Sequence, residues 1–184
     1  MKLRHSDSLI LVWRVAEIEA RHLKSSTIEP THLLLGLCKT VDLDLPSLVS
    51  KDAPDRNEVL EELLREVRRL KNVFRAAGLN AKIFRRRLRR IAEAHRFILP
   101  DSGRLRRGKA AKQVFAEAEH FAALVDCMVY PVHLLYAALL ADDRGRDKVL
   151  NDLGIDKLRL LEVTKRETVF HQRDSMTRDK THLN

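Results

Sequence analysis

Apolar side chains recur at helical spacing over most of the chain. Residues 6–8 read Ser-Asp-Ser, a helix start, and apolar residues then return every three or four positions to about Lys24. Residues 32–38 are apolar nearly all round, which is typical of a buried central helix. Further helical stripes cover residues 56–71, 81–91, 109–125, 131–141 and 157–168. The pattern therefore predicts an all-α protein.

Two glycines interrupt this pattern in the same way. Gly78 and Gly154 each follow a helical stretch. Each is followed by an apolar residue and then by a helix-capping residue, Asn80 or Asp156. A glycine in the left-handed conformation closes a helix, and the apolar residue after it packs back on the last turn. We therefore assign both glycines a structural role between two helices.

A short phrase that occurs twice indicates an internal duplication. Residues 30–34 read Pro-Thr-His-Leu-Leu and residues 131–135 read Pro-Val-His-Leu-Leu, at an offset of 101 residues. Gly78 and Gly154 lie only 76 residues apart, so the first copy contains 25 additional residues. Spaced alanines in the first helix of each copy align at an offset of either 100 or 102 residues. Each copy then comprises four helices.

The duplication predicts two four-helix repeats related by a pseudo-twofold axis, with an extra inserted helix in the first repeat. The first repeat spans residues 1–98 and carries the inserted helix at about 55–71. A linker rich in Pro, Gly and Arg follows at 99–108, and the second repeat spans 109–168. Residues 169–184 are polar and lack a period, which predicts a disordered tail. We expect the two repeats to form one globular domain.

Composition supports helices and narrows the cellular setting. Aromatic residues make up 5% of the chain, whereas strands favour aromatic and β-branched residues. Cys38 and Cys127 lie in or beside apolar stretches without metal-ligand spacing, which indicates buried thiols in a reducing compartment. No apolar run reaches the ~18 residues of a membrane span, and the N-terminal residues lack a signal-peptide pattern. We therefore expect a cytoplasmic protein that does not bind a membrane.

Both copies resemble the repeats in the amino-terminal domain of the Clp unfoldases, the AAA+ partners of the Clp protease. The matching runs are residues 28–37 and 129–135, with the later run 149–156 at the spacing of the family. The resemblance covers about 6–38 and 73–166. It implies a non-catalytic domain that binds proteins or peptides in grooves between helices. Such a domain serves as the front domain, an adaptor or a regulator of a Clp ATPase.

Two departures from the family pattern bear on function. The family's glutamate before the histidine is replaced by Thr31 in the first copy and by Val132 in the second. In some family members that acidic pair recognises phosphorylated arginine, so this activity is not carried over. No GxxxxGK[ST] phosphate-binding loop occurs in the sequence, which excludes the ATPase modules from it. We therefore expect a recognition domain without catalytic residues, metal or cofactor.

His32 and His133 occupy equivalent places near the starts of the two central helices. Such a histidine is either a catalytic or metal-binding group, or a structural one that bonds to neighbouring backbone and closes the helix start. A position duplicated in both repeats is more simply structural, and no histidines occur at HxH or HExxH spacing. We assign both imidazoles to helix closure.

A basic helix suggests an alternative function. The net charge of +9 favours nucleic acid, anionic membranes or acidic proteins as partners. Six of the nine residues at 82–90 are cationic, so residues 82–109 form a candidate nucleic-acid-binding segment. The same helix also has an apolar side, and a solvated face beside acidic neighbours explains its charge more simply. The candidate nucleic-acid contacts are Arg85, Arg86, Arg89 and Arg90.

The inserted helix carries an apolar stripe that must be buried. It caps the hydrophobic groove that the family leaves exposed, or offers a surface to a partner helix, or packs on its own domain. Packing on its own domain is the simplest of the three. The candidate partner-binding residues are Ser6 at the first helix start, Thr31, Val132, and Leu63 and Val67 on the inserted stripe.

Overall fold

The structure is a computed structural model that describes residues 4–50, 54–94, 105–125 and 127–179. Nine helices account for most of these residues, so the prediction of an all-α protein is confirmed. The helices are α1 (Asp7–His22), α2 (Pro30–Thr40), α3 (Leu45–Leu48), α4 (Arg56–Ala76), α5 (Ala81–Ala94), α6 (Lys109–Leu124), α7 (Pro131–Leu140), α8 (Arg144–Asp152) and α9 (Lys157–Asp179). Two short strands, β1 (Thr27–Ile28) and β2 (Arg106–Arg107), complete the described elements.

The first helices of the two copies correspond at an offset of 102 residues. Both α1 and α6 contain 16 residues, and their capping positions are Ser6 and Gly108. Ala16 and Ala20 of α1 are fully buried, as are Ala118 and Ala122 of α6. Small buried side chains allow close approach of the neighbouring helix. The structure therefore selects the offset of 102 over that of 100.

Helix packing repeats in the same way in both halves. Helix α1 packs on α2 and α6 packs on α7, while α2 contacts α5 and α7 contacts α9. The third helix of each copy packs against the fourth helix of the other, because α4 contacts α9 and α8 contacts α5. The central helices α2 and α7 also touch each other. This reciprocal packing joins the two copies around one hydrophobic core.

Two short backbone pairings, which the helical pattern does not predict, connect the copies. Strand β1 pairs in parallel with β2, and His5 forms a single parallel bridge with Val129. The flanking hydrogen bonds are equivalent: Gly108 N donates to Ile28 O at 2.9 Å, and Ser6 N donates to Val129 O at 3.1 Å. Each pairing joins the segment before a first helix to the segment before the central helix of the other copy. Two-residue strands are too short to show a period-two pattern.

The two glycine turns have the same geometry. Gly78 has a φ of 71° and Gly154 a φ of 67°, both in the left-handed region. Leu79 N donates to Phe74 O at 2.7 Å, and Ile155 N donates to Leu150 O at 2.9 Å. These bonds link residues five apart and satisfy a carbonyl at the end of each helix. A side chain at either position would strain the backbone, since L-residues rarely adopt this φ.

The inserted residues lengthen the third helix of the first repeat. Helix α4 has 21 residues and continues to Ala76, whereas α8 has 9. At the offset of 76, residues 68–76 of α4 correspond to α8, and residues 56–67 have no counterpart. We call residues 56–67 the α4 extension. Its side chains Leu63 and Val67 are buried in the core, so the extension packs on its own domain.

The end of the chain differs from the sequence prediction. Helix α9 runs to Asp179, although a disordered tail is predicted from residue 169. A helix that has already nucleated on the core propagates without an apolar stripe, because each added residue contributes a further backbone hydrogen bond. Residues 180–184 and most of the predicted linker, 99–104, lie outside the described residues. Among the described residues, no helix combines the length and apolar character that a bilayer span requires.

Candidate binding cleft of the first repeat

A cleft of about 500 Å³ lies where the start of α2 meets α5 and the start of α8. Its apolar lining is formed by Leu23, Leu88, Ile91 and Ala92. Its polar lining combines backbone turns with hydroxyl and carboxylate groups. The polar residues are Ser25, Ser26, Thr27, Glu29, Thr31, His32, Asp143 and Arg146, with Gly145 between the last two. We call this site the open cleft.

Both repeats supply a carboxylate to the open cleft. Glu29, at the position before α2, accepts a hydrogen bond from Thr27 Oγ1 at 2.6 Å. Asp143 caps α8, because its Oδ1 accepts from Arg146 N at 2.9 Å. Its other oxygen, Oδ2, accepts from Thr31 Oγ1 at 3.3 Å. The hydroxyl of Thr31 thus links the two repeats where the family has a glutamate.

The cationic side chain of Arg146 does not balance these carboxylates. Arg146 is almost fully buried, and its guanidinium donates to the carbonyls of Ala138 and Ala141 at the end of α7. Its Nε donates to Asp147 Oδ1 at 2.7 Å. All three guanidinium nitrogens are therefore bonded to groups at the junction of α7 and α8. Among the lining residues that the structure describes, the charge presented to the open cleft is therefore negative.

The two equivalent histidines close the starts of the central helices. His32 Nδ1 accepts from Glu29 N at 2.9 Å, and His133 Nδ1 accepts from Tyr130 N at 3.0 Å. Each bond satisfies a backbone donor that the helix itself leaves free. An acceptor Nδ1 requires an imidazole that is not doubly protonated. Within the described residues, no group of three His, Cys, Asp or Glu side chains is arranged to hold a metal ion.

The burial of His32 predicts a stability change with pH. Burial lowers the pKa of His32 to about 4, although Glu19 acts to raise it. Because the folded-state pKa lies below the unfolded value of about 6.5, the unfolded chain binds more protons between these two values. The free energy of unfolding should therefore fall by about 2–3 kcal/mol between pH 7 and pH 4.5 because of this group.

Denaturant unfolding at pH 7 and pH 4.5 measures this effect when wild type is compared with His32→Gln. Glutamine at the third helical position reaches back to the same backbone donor, so the variant keeps the bond without the titration. The exposed His120→Gln is the control, and it should retain the full pH dependence. An unchanged pH dependence in His32→Gln would contradict the assignment.

The structure separates the predicted partner-binding residues. Thr31 lines the open cleft and is partly exposed. Ser6 is buried as the cap of α1, where its Oγ accepts from Leu9 N at 3.2 Å. Val132, Leu63 and Val67 are buried in the core. A buried side chain contacts a partner only after the domain opens, so of these five Thr31 alone enters the candidate site.

The basic helix α5 directs two of its four candidate arginines to acidic neighbours. Arg89 Nη2 lies 2.6 and 2.5 Å from the two oxygens of the buried Glu19. Arg85 Nη1 lies 3.7 Å from Asp42 Oδ2. Arg86 and Arg90 are exposed. Ion pairs with acidic neighbours account for part of the charge run, which favours the interpretation as a helix face over that as a phosphate-binding stripe.

Neither carboxylate of the open cleft is recognisable as a site residue from the sequence pattern. Glu29 precedes Pro30 directly and Asp143 precedes α8, both at helix-capping positions. A polar residue at such a position is explained locally as a helix start. Its proximity to a second carboxylate 114 residues away in sequence follows only from the packing of α8 against α5.

Comparison with known proteins supports the fold assignment. No protein-family profile and no curated protein sequence matches the chain. The structure of the Hsp104 N-terminal domain from Candida albicans is similar, with a TM-score of 0.63 and 17% identity over 88% of this chain and 89% of that one. A structure from a malarial protein secretion system has a TM-score of 0.63 and 16% identity over 90% and 95%.

A third similar structure is the N-terminal domain of ClpD, a chaperone associated with caseinolytic protease, from Arabidopsis thaliana. Its TM-score is 0.57, with 19% identity over 89% of this chain and 96% of that one. The three structures match this chain over nearly their whole length, so the likeness includes both repeats. The chain therefore has the fold of the Clp and Hsp104 amino-terminal domains.

Proposed function

We propose that this chain is a non-catalytic recognition domain that binds segments of client or adaptor proteins in the open cleft. It acts in protein quality control, as the front domain, an adaptor or a regulator of a Clp-type ATPase. The single observation that carries the proposal is the cleft itself, a cavity of about 500 Å³ lined by both apolar and polar residues at the contact between the repeats. The similarity to chaperone amino-terminal domains supports the same role.

The composition of the open cleft suits a peptide better than a small metabolite. Its apolar lining, formed by residues of α5 and the end of α1, offers contact area to aliphatic side chains. Ser26 offers a hydroxyl group to a peptide main chain, and the hydroxyl oxygens of Ser25 and Thr27, which donate to Thr27 O and Glu29, offer acceptors. Such a site gains affinity from apolar contact and orientation from a few hydrogen bonds.

The carboxylates predict which segments bind best. Glu29 and Asp143 present negative charge, while Arg146, the one cationic side chain among the described lining residues, is bonded elsewhere. A basic side chain flanked by aliphatic residues is complementary to this arrangement. Hydrogen bonds between charged partners contribute about 1.5–3 kcal/mol, which corresponds to an affinity difference of roughly tenfold or more.

Calorimetric titration with a matched peptide pair tests this proposal. The first peptide is acetyl-Ala-Leu-Arg-Leu-Ala-amide, and in the second the arginine is replaced by citrulline, which has nearly the same shape without charge. We expect the arginine peptide to bind about tenfold more tightly. Asp143→Asn should abolish this preference, since the Oδ1 of asparagine still caps α8 while its Nδ2 donates to the Thr31 hydroxyl, so the geometry is kept and the charge is lost.

The adjacent exposed residue Asp142 provides the matched control, and Asp142→Asn should leave the preference intact. Equal binding of the two peptides, or equal effects of the two substitutions, would contradict the cleft as the binding site. Absence of binding by either peptide would contradict the recognition function. Tight DNA binding that weakens steeply with salt and is lost in Arg86→Gln with Arg90→Gln would instead support the nucleic-acid alternative.

A further inference from the structure

The pseudo-twofold relation assigns counterparts to five polar residues that line the open cleft. The offset of 101 places Tyr130, Val132 and His133 of the second repeat where the first has Glu29, Thr31 and His32. The offset of 76 places Val67 and Leu70 of α4 where α8 and its cap have Asp143 and Arg146. We call the region formed by these five residues of the second repeat and α4 the counterpart cleft.

The chemistry of the counterpart cleft differs from that of the open cleft. The hydrogen-bonded pair Thr31 and Asp143 corresponds to two valines, Val132 and Val67. Val132 is 0% exposed and Val67 is 4% exposed. A bonded polar pair that borders an opening is thus replaced by two buried apolar side chains. At the position of Asp143 itself the second repeat's cleft has Val67, which carries no charge.

The α4 extension supplies the cover. It leads directly into Val67, and in the second repeat no helix precedes α8 in the corresponding place. Helix α4 contacts both α7 and α9, the helices that bound the counterpart cleft. Leu63 and Glu66 of the extension are buried. Burial, together with Glu66 and Glu62, raises the pKa of Tyr130 to about 12, which is consistent with α4 lying beside that ring.

We propose that the α4 extension closes the second repeat's cleft, so that of the two symmetry-related clefts in the described part of the chain only the one at the first repeat is usable. The insertion converts a duplicated fold into an asymmetric one in which this pair of clefts takes a single ligand. The number of bound ligands rests on the proposed function. The closure of the counterpart cleft does not, and it is tested without a ligand.

Thiol labelling of single cysteines compares the two clefts. Thr31→Cys and Val132→Cys are each introduced in a Cys127→Ser background and treated with a maleimide under native conditions. Cys38 is an internal control, because it is buried and burial raises the pKa of its thiol, so it reacts only when the domain unfolds. We expect Thr31→Cys to react about 100-fold faster than Val132→Cys. Equal rates with Cys38 protected would overturn the proposal.

A second pair of substitutions tests the role of the extension. Leu63 is 6% exposed, whereas its neighbour Leu64 is 39% exposed. Leu63→Asp should detach the extension and accelerate labelling of Val132→Cys at least tenfold while Cys38 stays protected. Leu64→Asp should leave the labelling rate unchanged. If Leu63→Asp also exposes Cys38, the milder Leu63→Ala takes its place. An unchanged labelling rate of Val132→Cys in the Leu63→Ala variant would then count against the proposal.

Titration with the arginine peptide separates the two proposals. One equivalent per chain, with binding lost after maleimide labelling of Thr31→Cys, agrees with a single cleft. Two equivalents would overturn the closure and leave the recognition function standing. If the peptide does not bind, while Val132→Cys is labelled slowly and Thr31→Cys quickly, the recognition function is overturned and the closure still stands.

Discussion

Replacing Arg146 by methionine should lower the free energy of unfolding by about 3–5 kcal/mol, the range observed when one partner of a buried charged network is removed. Arg146 is 1% exposed and donates to the carbonyls of Ala138 and Ala141 and to the carboxylate of Asp147. The last carbonyls of a helix have no partner within that helix. Removal of the guanidinium leaves these buried acceptors unsatisfied.

The electrostatic setting of Asp147 supports this expectation. Burial acts to raise its pKa, but hydrogen bonds from Lys157 and Arg146 hold the pKa below its ordinary value. Asp147 therefore joins α8 to α9 through Lys157 Nζ at 2.9 Å and to α7 through Arg146. Loss of Arg146 removes the link to α7, while the link from Asp147 to α9 through Lys157 remains.

Denaturant unfolding followed by the fluorescence of Trp13, the single tryptophan of the chain, measures the change. The exposed Arg144→Met in the same helix is the control and should change the free energy by less than about 0.5 kcal/mol. Comparable effects of the two substitutions would show that Arg146 contributes only as a surface charge.

An alanine at Gly36 should destabilise the domain by about 1–3 kcal/mol, the usual cost of overpacking. A Cβ at this position would lie 2.7 Å from Val12 O and 3.1 Å from Ala16 Cβ. In an exposed helix the same change normally stabilises by about 1 kcal/mol, because glycine is a poor helix former. The tight contact between α1 and α2 therefore reverses the sign of the expected effect.

The duplicated fold provides a matched test of this reversal. Ala137 occupies the position of Gly36 in the second repeat, at the offset of 101, and it is buried there. Ala137→Gly should therefore destabilise the domain by about 1 kcal/mol or slightly more, since helix propensity and burial both favour alanine. Thermal unfolding of the two variants measures whether each substitution lowers the stability of the domain. A stabilised Gly36→Ala would show that α1 and α2 separate easily.

The local elements of the fold were predictable because their signals are local. The Pro-x-His phrase marks the start of a buried helix, and its recurrence identifies two copies. Gly78 and Gly154 mark helix ends, where only a residue that tolerates positive φ fits. Each of these signals lies within one or two helical turns, so it can be recognised from the sequence alone.

The alternatives that the sequence left open depended on distant residues. The offset between the first helices was ambiguous, because alanines recur within each helix at nearly equivalent spacings. Packing resolves it, since Ala16 and Ala118 must both face a central helix. The inserted stripe had three interpretations, and burial of Leu63 and Val67 shows that these side chains pack on the domain itself and are not presented to a partner helix.

The sequence by itself determined that the chain is helical, duplicated and enlarged in its first copy. Only the tertiary structure decided which cleft is open, because the open cleft combines Glu29 and Thr31 of the first repeat with Asp143 of the second. Thr31 and Val132 are equivalent in sequence, yet one borders a cavity and the other is fully buried. The physical reason is that accessibility depends on what packs over a residue, and α4, which carries the insertion, packs against α7 and α9 of the second repeat as well as against α1.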